Sequence, residues 1–385
     1  MSTTFESWDD ENLDLNINLL RGVYSYGFEK PSPIQKKAII PILNKKDVIA
    51  QAQSGTGKTG AFTVSVLQSI DPDINSTQAI IMSPTRELSK QIYDVVNSIG
   101  YLLKYNTCLM IGGTSIDEQI RECKENPPKI IVGCPGRIFD LLCRRVIDAN
   151  TVKILAIDEA DEMLSYGFKE QIYNILQVLS ADMQILLFSA TMPQELKDIS
   201  QKFMRDPVEI YVKQEQLSLQ GIKQFYVFLT SEEEKALSLI DIFNTISMTQ
   251  CIIYCNSVER SEYLHDYMCK ENFPVSKIHS KLSHEERREA YSKFKNGDTR
   301  VLISTDLFSR GIDVQQVSYV INYDIPKNVN TYLHRIGRSG RWGRKGVAIN
   351  FITKYDKHKL NEIERFYHTV VDELPMNFSS FLGSG

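Results

Sequence analysis

Four acidic residues lie close together directly after an apolar run in the first half of the chain. The run VKILAI (152–157) is followed by Asp158, Glu159, Asp161 and Glu162. A continuous apolar run of this length is typical of a buried strand, so the acids follow the end of a strand. Such carboxylates either lie in a solvated turn or face a positively charged ligand. Their chemistry therefore depends on what the fold places beside them.

A glycine-rich segment, AQSGTGKT (52–59), is the second place where chemistry could occur. It follows the apolar run DVIAQA (47–52) and precedes a helical pattern. Glycines let the backbone curl, so that several N–H groups and a helix N-terminus point at one anion. Lys58 can reach the β- and γ-phosphates of a nucleotide, and the Thr59 hydroxyl can ligate Mg²⁺. The alternative, a glycine-rich turn that binds nothing, is disfavoured by the strand before the segment and the helix after it.

The whole segment is predicted to bind the phosphates, although it begins with Ala52 where such segments usually carry glycine. Its residues are Ala52, Gln53, Ser54, Gly55, Thr56, Gly57, Lys58 and Thr59. In P-loop proteins the acid after another strand of the same sheet holds the metal, which assigns Mg²⁺ to Asp158 and Thr59, partly through water. Glu159 is then placed to orient or deprotonate the attacking water. For Glu162, a solvated acid in the first turn of a helix is the better interpretation.

The elements that must position these residues are short apolar runs that alternate with helical patterns. Candidate strands in the first half are DVIAQA (47–52), QAIIMSP (78–84), NTCLMIGG (106–113), KIIVGCP (129–135), VKILAID (152–158) and QILLFSAT (184–191). The second half repeats the pattern with QCIIYCNS (250–257), VSKIHS (275–280), RVLISTD (300–306), SYVINYD (318–324) and GVAINFIT (346–353). Most of these runs are continuous rather than alternating, which is typical of parallel strands buried on both faces.

The length of 385 residues and the repeated pattern predict two α/β domains in tandem, each a doubly wound, mostly parallel sheet of the P-loop NTPase type. We expect an N-terminal domain at 1–211, a linker at 212–220, a C-terminal domain at 221–382 and a flexible tail at 383–385. Ligands of such sheets bind beyond the carboxyl ends of the strands, which is where the acids and the glycine-rich segment lie.

Composition narrows the classes of function. Hydrophobic residues make up 42% and charged residues 24% of the chain, which is typical of a soluble globular protein. No apolar run reaches the ~18 residues that a membrane span needs. The seven cysteines include no CxxC pair, which favours thiols in a reducing compartment over disulfides or a zinc site. The formal charge of −4 predicts that any nucleic-acid binding depends on locally placed cations.

Twelve short motifs, in the family's order, resemble those of the DEAD-box RNA helicases. They are GFEKPSPIQ (27–35), AQSGTGKT (52–59), PTREL (84–88), GG (112–113), CPGR (134–137), DEAD (158–161), SAT (189–191), IIYCNS (252–257), STD (304–306), SRGID (309–313), INYDIP (321–326) and HRIGRSGR (334–341). The match runs almost end to end, and stretches such as DVIAQAQSGTGKTGAF are most similar to the branch of translation initiation factor 4A. The resemblance implies that both domains are RecA-like.

On the nucleotide side, the resemblance implies that Phe28 stacks on adenine, Gln35 reads the hydrogen-bonding edge of the base, and Lys30 lies beside it. An amide suits the adenine edge because it offers a donor and an acceptor together. Core packing is the alternative interpretation of Phe28. Asp313 is implied to contact the nucleotide from the second domain.

The resemblance also assigns catalytic and coupling roles. Arg338 and Arg341 are similar to arginine fingers and can reach the γ-phosphate only when the two domains close on each other. Ser189, Thr191 and His334 are similar to residues that couple ATP hydrolysis to RNA binding. The predicted catalytic residues are therefore Lys58, Asp158, Glu159, Arg338 and Arg341.

The motifs that face RNA in the family lie at strand ends or helix starts. The matching residues are Pro84, Thr85, Arg86, Gly112, Gly113, Arg137, Arg287, Thr305 and Arg310. Backbone N–H and guanidinium groups can grip consecutive phosphates there without reading bases, so we expect binding that is independent of sequence and steeply dependent on salt. The chain departs from the family at Cys134, HSKLSHEER (279–287), Ser309, Tyr254 and Ser257, which bears on RNA affinity rather than on ATP hydrolysis.

The expected activity is that of an ATP-dependent RNA helicase. The resemblance implies that such a protein binds single-stranded RNA or a short duplex, uses ATP and Mg²⁺, and opens duplexes by domain closure. Translation initiation in the cytoplasm is the expected role, for a monomer that binds a helical-repeat scaffold protein and no membrane. An ATP-gated RNA clamp of the exon-junction type and a helicase of ribosomal RNA processing are the alternatives, for which the nucleus is the expected compartment. A metabolic P-loop kinase is disfavoured, because a kinase needs neither SRGID nor HRIGRSGR.

Overall fold

A parallel β-sheet forms the centre of each half of the chain. The structure, a computed structural model, describes residues 5–52, 55–165, 167–211, 222–245, 250–306, 317–337, 339 and 346–375. The chain divides into two units, Met1–Lys213 and Gln214–Gly385, which we call the first and the second unit. The predicted linker at 212–220 and the predicted tail at 383–385 lie outside the described residues.

The described part of the first unit contains seven strands, and all their pairings are parallel. They are β1 (Val48–Gln51), β2 (Ala79–Met82), β3 (Thr107–Met110), β4 (Ile130–Gly133), β5 (Ile154–Ile157), β6 (Gln184–Ser189) and β7 (Val208–Tyr211). Their order across the sheet is β3-β4-β2-β5-β6-β1-β7. Every residue of β2, β4, β5 and β6 is buried, which confirms the interpretation of continuous apolar runs as strands covered on both faces.

Helices cover both faces of the first sheet. They are α1 (Ile17–Ser25), α2 (Pro33–Leu43), α3 (Lys58–Ser69), α4 (Arg86–Ile99), α5 (Ile116–Glu125), α6 (Pro135–Cys143), α7 (Ala160–Ser165), α8 (Lys169–Val178) and α9 (Gln194–Phe203). Along β1, Val48 and Ala50 belong to one apolar cluster and Ile49 to the other. Because successive side chains of a strand point to opposite faces, the two clusters lie on opposite sides of the sheet.

The described part of the second unit also contains seven strands in parallel pairings. They are β8 (Ile222–Phe228), β9 (Cys251–Tyr254), β10 (Val275–Ile278), β11 (Val301–Ser304), β12 (Tyr319–Asn322), β13 (Gly346–Ile352) and β14 (Asp372–Glu373). The described helices are α10 (Glu234–Thr245), α11 (Val258–Lys270), α12 (His284–Asn296), α13 (Val329–Ile336) and α14 (Lys357–Tyr367).

The two sheets have the same strand order. The second sheet reads β10-β11-β9-β12-β13-β8-β14, so that β8 to β14 take the places of β1 to β7. In both sheets the strand order reverses beside the first strand of the unit. Such folds bind ligands beyond the carboxyl ends of the strands at this point. Positions that follow equivalent strands can therefore be compared directly between the units.

Three strands, β7, β8 and β14, are missing from the predicted set. β7 and β14 contain no continuous apolar run, and in β8 the apolar stretch FYVF (225–228) follows the polar Lys223 and Gln224. β7 and β8 also keep several residues half-buried or exposed, and both residues of β14 are exposed. β7 and β8 border the predicted linker on either side. The eleven predicted strands are all present, each one to four residues shorter than predicted.

Within the residues that the structure describes, no helix combines the length and the apolar character needed to cross a lipid bilayer. All seven cysteines lie in the described part of the chain and are free thiols.

Candidate active site

The glycine-rich segment forms a tight turn between β1 and α3. Gly55 and Gly57 have φ angles of 81° and 102°, in the left-handed region that favours glycine. Gly57 caps helix α3, which begins at Lys58. A Cβ atom at Gly57 would lie 2.6 Å from the Oγ of Ser32 and 2.9 Å from the Nε2 of Gln35, so the turn also packs tightly against α2. Gln53 and Ser54 lie outside the described residues.

Lys58 and Glu159 form a buried ion pair at the carboxyl edge of the first sheet. The Nζ of Lys58 lies 3.4 Å from the Oε2 of Glu159, and both side chains are almost fully buried. Glu159 has a φ angle of 50°, unusual for a residue other than glycine. Its N–H donates to the Oδ1 of Asp158 at 3.0 Å. The structure thus brings together the predicted lysine and both predicted acids.

The pKa of the Asp158 carboxyl group bears directly on whether the site can hold a cation. The Asp158 N–H donates to the Met82 carbonyl, which continues the pairing of β5 with β2. Burial, and then the charge of Glu159, raises the pKa of Asp158 to about 7, against the opposing charge of Lys58. Two adjacent buried carboxylates therefore share one lysine, and further positive charge would stabilise their ionised forms. Together with the half-buried Thr59 in the first turn of α3, they offer the oxygen ligands that Mg²⁺ prefers.

Gln35 is tied to the phosphate segment. Its Nε2 donates to the Gly57 carbonyl at 3.2 Å, and its Oε1 accepts from the Ser32 N–H at 2.7 Å. The bond with Ser32 makes Gln35 part of the capping box of α2. The sequence does not indicate this second use of the amide, which anchors the start of α2 to the turn before α3.

Phe28 packs beside the same turn. Its ring is stacked on Trp8 with centroids 6.1 Å apart and meets the edge of Tyr26 at 5.0 Å. A Cβ atom on Gly60 would lie 2.8 Å from the Phe28 ring, so the ring rests directly on α3. Phe28 remains half-buried, and Lys30 is exposed. Stacking of Phe28 on adenine stays a prediction, and part of the core-packing alternative is observed as well.

Hydrogen bonds connect the DEAD segment to the SAT segment. The Asp161 N–H donates to the Oγ of Ser189 at 3.4 Å, and that hydroxyl donates to the Thr191 carbonyl at 2.7 Å. The Thr191 hydroxyl donates to the Asp161 carboxylate. These bonds join the start of α7 to the end of β6, next to the Lys58–Glu159 pair. His334, the third predicted coupling residue, is buried on α13 of the second unit.

Comparison with known proteins agrees with this arrangement. Residues 32–199 match the DEAD/DEAH box helicase family, and residues 234–343 match the helicase conserved C-terminal domain. The chain is 50% identical over 379 residues to the ATP-dependent RNA helicase eIF4A of Chaetomium globosum, which covers 98% of this chain and 95% of the relative. It is 48% identical to the eIF4A of Mycosarcoma maydis, with 99% of this chain and 92% of the relative covered.

The chain belongs to the DEAD/DEAH box helicase family. Among solved structures, S. cerevisiae Dbp5 bound to RNA and ADP BeF3 is similar, with a TM-score of 0.88 and 33% identity over 96% of this chain and 95% of that one. Mss116p bound to single-stranded RNA and AMP-PNP has a TM-score of 0.86 and 25% identity, over 99% of this chain and 82% of that one. The predicted family and the fold of two tandem RecA-like domains are therefore confirmed.

The predicted RNA-facing residues of this helicase's first unit lie at the ends of β2, β3 and β4. Arg86 is the first residue of α4, whose cap is the Thr85 hydroxyl, and it follows the buried Pro84. A Cβ atom at Gly112 would lie 2.8 Å from the Nη2 of Arg86, so the guanidinium rests on the diglycine. The structure therefore brings PTREL and Gly112-Gly113 into one corner of the first unit.

Arg137 of the first unit is fixed by neighbouring groups. Its guanidinium donates to the Thr114 carbonyl at 3.1 Å and to the Gln119 side chain, which ties it to the segment after the diglycine. Cys134, where the family has threonine, caps α6, and its sulfur lies 3.5 Å from the Oγ of Ser89. Burial raises the pKa of the Cys134 thiol. The departure at Cys134 is thus accommodated by a weak hydrogen bond to α4.

The second unit shows fewer of the predicted residues. The Thr305 N–H donates to the Ile278 carbonyl at 3.4 Å, and the Arg287 guanidinium donates to the Ser280 carbonyl at 2.6 Å. The predicted contacts Arg310, Asp313, Arg338 and Arg341 lie outside the described residues.

Arg335 is an organising residue that the sequence reasoning missed. Its guanidinium is fully buried and donates to the Asp306 carboxylate at 2.5 Å, the Asn256 Oδ1 at 2.7 Å and the Asp324 carbonyl at 2.7 Å. It thereby ties together the residues that follow three neighbouring strands, β11, β9 and β12. An arginine is tolerated there because most of its donors find acceptors. The acids and amides after those strands are the signal that could have identified it.

Proposed function

We propose that this protein is an ATP-dependent RNA helicase that acts in translation initiation. The observation that carries the proposal is the buried Lys58–Glu159 pair, which lies between a left-handed glycine turn and the end of β5. Similarity to relatives named eIF4A, and to solved helicases with RNA and a nucleotide bound, supports the same activity.

In this proposal, residues 52–59 bind the triphosphate through backbone N–H groups and Lys58. Glu159 leaves its ion pair with Lys58 when the lysine turns to the phosphates, and its carboxylate then accepts a proton from the attacking water. Gln35 and Phe28 orient the base, since Gln35 is bonded to the turn that precedes α3 and Phe28 lies against Gly60 in the first turn of that helix.

Mg²⁺ would be held by Asp158 and Thr59, partly through water, and would neutralise phosphate charge. Asp158 fits this role because its carboxylate is buried next to that of Glu159, so that a cation beside it would stabilise the ionised form.

We further propose that the second unit supplies Asp313 as a nucleotide contact and Arg338 and Arg341 as arginine fingers when ATP and RNA draw the units together. This part follows from the family resemblance. His334 with Ser189 and Thr191 would then report the state of the nucleotide to the RNA side. The predicted boundaries, with domains at 1–211 and 221–382 and a linker at 212–220, are retained.

For RNA, the proposal assigns the phosphate contacts to Pro84, Thr85, Arg86, Gly112, Gly113, Arg137, Arg287, Thr305 and Arg310. In the first unit, Arg86 lies against the diglycine and Arg137 is held on the segment after it. In the proposal, the RNA backbone passes both guanidinium groups. Since they follow strand ends and not a base-reading element, binding should be independent of sequence.

The remaining parts of the proposal follow from the family resemblance of the sequence alone. They are a helical-repeat scaffold partner, a monomeric state and a cytoplasmic location.

ATP turnover measured with and without oligouridine tests the proposed activity. We expect RNA to stimulate turnover and a DNA oligonucleotide of equal length to do so much less, because the 2′-hydroxyl distinguishes RNA from DNA. Lys58→Ala should remove turnover, and a thermal melt should show that the variant is folded. Wild-type turnover in Lys58→Ala, or equal stimulation by DNA, would contradict the proposal.

A further inference from the structure

The second unit contains a counterpart of the Lys58–Glu159 pair. Lys58 follows the last residue of β1, Gln51, by seven residues, and Lys235 follows the last residue of β8, Phe228, by seven. β8 takes the place of β1 in its sheet, and each lysine lies in the first turn of the next helix. Both lysines are buried, with relative exposures of 5% and 2%.

The carboxylate partners are equivalent as well. Glu159 lies two residues after β5 and Asp324 two residues after β12, and these strands take the same place in their sheets. The Nζ of Lys235 lies 3.3 Å from the Oδ1 of Asp324, against 3.4 Å for Lys58 and Glu159. Both units thus build one buried lysine–carboxylate pair at the same point of the same sheet.

The loop beside the pair differs completely. Where the first unit carries Gly55 and Gly57, four and six residues after its strand, the second carries Glu232 and Glu234. The carboxylate of Glu232 lies 3.0 Å from the Nζ of Lys235 and also binds the guanidinium of Arg260. Glu234 turns away and accepts from the Thr230 N–H instead. A side-chain anion therefore contacts the lysine that, in the first unit, would contact phosphate.

Charge supports this interpretation of Glu232. Arg260 also contacts Asp324 at 2.8 Å, so two cations and two carboxylates form a closed, neutral cluster. Burial opposes ionisation of Glu232, but hydrogen bonds from Arg260 and Lys235 keep its pKa below the ordinary value. Without this carboxylate, the cluster would carry one uncompensated positive charge on a buried lysine and a half-buried arginine. Glu232 itself is half-exposed, with 46% of its side-chain surface accessible.

We propose that Lys235, Arg260 and Asp324 form an anion site in the second unit, that Glu232 fills it in the free protein, and that a phosphate group of bound RNA displaces the Glu232 carboxylate. The RNA part of this inference rests on the proposed function. The existence of the anion site does not, because free pyrophosphate should bind there once Glu232 is neutral.

Glu232→Gln is the central variant, and Glu233→Gln is its matched control. The two changes remove the same charge from adjacent residues, but Glu233 is exposed and bonded to Ser231 rather than to the cations. Oligouridine affinity is measured at several salt concentrations for both variants and the wild type. We expect Glu232→Gln to bind RNA roughly threefold to tenfold more tightly and to increase the salt slope by about one phosphate contact. Adding Arg260→Gln should reverse this gain.

A second arm distinguishes free phosphate from the RNA backbone. Pyrophosphate is titrated by calorimetry into full-length Lys58→Ala protein that also carries Glu232→Gln or Glu233→Gln. Heat of binding in the first protein only would establish the anion site independently of RNA. If Glu232→Gln binds pyrophosphate but its RNA affinity is unchanged, the proposed displacement of Glu232 by an RNA phosphate is wrong. If only its RNA affinity changes, the site binds phosphate groups of the RNA backbone and not free pyrophosphate.

If Glu232→Gln and Glu233→Gln behave alike in both arms, the anion site does not exist. Wild-type protein that binds no RNA would contradict the proposed function, and the pyrophosphate arm would still decide the site. A thermal melt of each variant checks folding, which we expect to persist because glutamine keeps an oxygen acceptor for Lys235 and Arg260.

Discussion

The two units place a lysine and a carboxylate at the same point of the same sheet, but only the first unit places glycines beside them. Lys58 and Glu159 border a turn with two left-handed glycines, whereas Lys235 and Asp324 border a loop that contributes the carboxylate of Glu232. The first pair therefore adjoins a turn whose backbone can bind an anion, whereas the lysine of the second pair already contacts a carboxylate of its own loop. The sheet decides where chemistry can occur, and the loop decides whether it does.

The comparison extends to the neighbouring strand ends. In the first unit, the residues after β2 and β4 present Arg86 and Arg137 beside glycine-containing segments. In the second unit, the residues after β9 and β11 are bonded to the buried Arg335. One unit thus keeps half-buried arginines beside glycines at this edge, and the other uses a fully buried arginine as structural support.

Among changes that test this difference between the two units, we expect Arg338→Ala to have the largest effect on ATP turnover. If the second unit has no phosphate turn and contributes guanidinium groups instead, RNA-stimulated turnover should fall by about 10³-fold, the lower range for arginine fingers. RNA affinity without nucleotide should be unchanged. Arg288→Ala, which removes an exposed cation from α12, is the control for charge alone. Equal turnover in Arg338→Ala and Arg288→Ala would assign no catalytic role to Arg338.

The next effect concerns the acid of the first pair. Glu159→Gln should lower turnover by about 10²-fold or more, because the amide cannot accept the proton of the attacking water. ATP and RNA should both stay bound, which equilibrium binding of labelled ATP and RNA can measure. Asp324→Asn makes the equivalent change in the second unit and should leave the chemical step intact. A loss of ATP affinity in Glu159→Gln would show that Glu159 binds the nucleotide rather than orienting water.

Sequence reasoning could predict the first pair and not the second, for physical reasons. GTGK contains glycines whose backbone freedom has a recognisable purpose, whereas EEEK resembles a solvated, acidic helix start. The structure shows that Lys235 is buried, and the equal strand order of the two sheets shows that it corresponds to Lys58. The shared spacing of seven residues between strand end and lysine also depends on the structure, because β8 was not among the predicted strands.

The same limit explains the other differences. Continuous apolar runs predicted the strands buried on both faces, while β7 and β8, which keep exposed residues, gave no such signal. The family motifs brought Lys58, Asp158 and Glu159 together correctly, because their spacing is set by strand ends. They could not reveal that Gln35 binds the phosphate turn, which depends on how α2 packs against α3.

A smaller expected effect is a difference in the free energy of unfolding between Lys235→Met and Lys58→Met. Lys235→Met removes a cation from a closed cluster, and Asp324 keeps Arg260 and the Asn256 N–H as partners. We expect the free energy of unfolding of the second unit to fall by about 2 kcal/mol, less than for a fully unpaired buried charge. Lys58→Met should cost less, because Asp158, whose pKa is already about 7, can take up a proton. Urea unfolding followed by hydrogen exchange in each unit measures both changes, and equal losses would remove the distinction.

The smallest effect is a pH dependence in the divergent HSKLSHEER segment of the second unit. His279 is buried, and its Nε2 lies 2.7 Å from the Oε1 of Glu262 on α11. Burial lowers the pKa of His279, an effect that Glu262 opposes and that Lys277 on β10 and Arg287 on α12 reinforce. A depressed pKa in the folded state means that stability is present above the ordinary histidine pKa and is lost as the pH falls below it. Unfolding free energy should therefore decrease more steeply between about pH 7 and pH 5 in the wild type than in His279→Gln.

The half-buried His265 on α11 provides the control for this pH dependence, because His265→Gln removes a histidine that lies at the surface of the same unit. Denaturant unfolding at several pH values compares the three proteins. The wild type and His265→Gln should share one slope, and His279→Gln should show a shallower one. If all three slopes coincide, the folded and unfolded states bind the His279 proton equally, and the contact with Glu262 offsets the effect of burial fully.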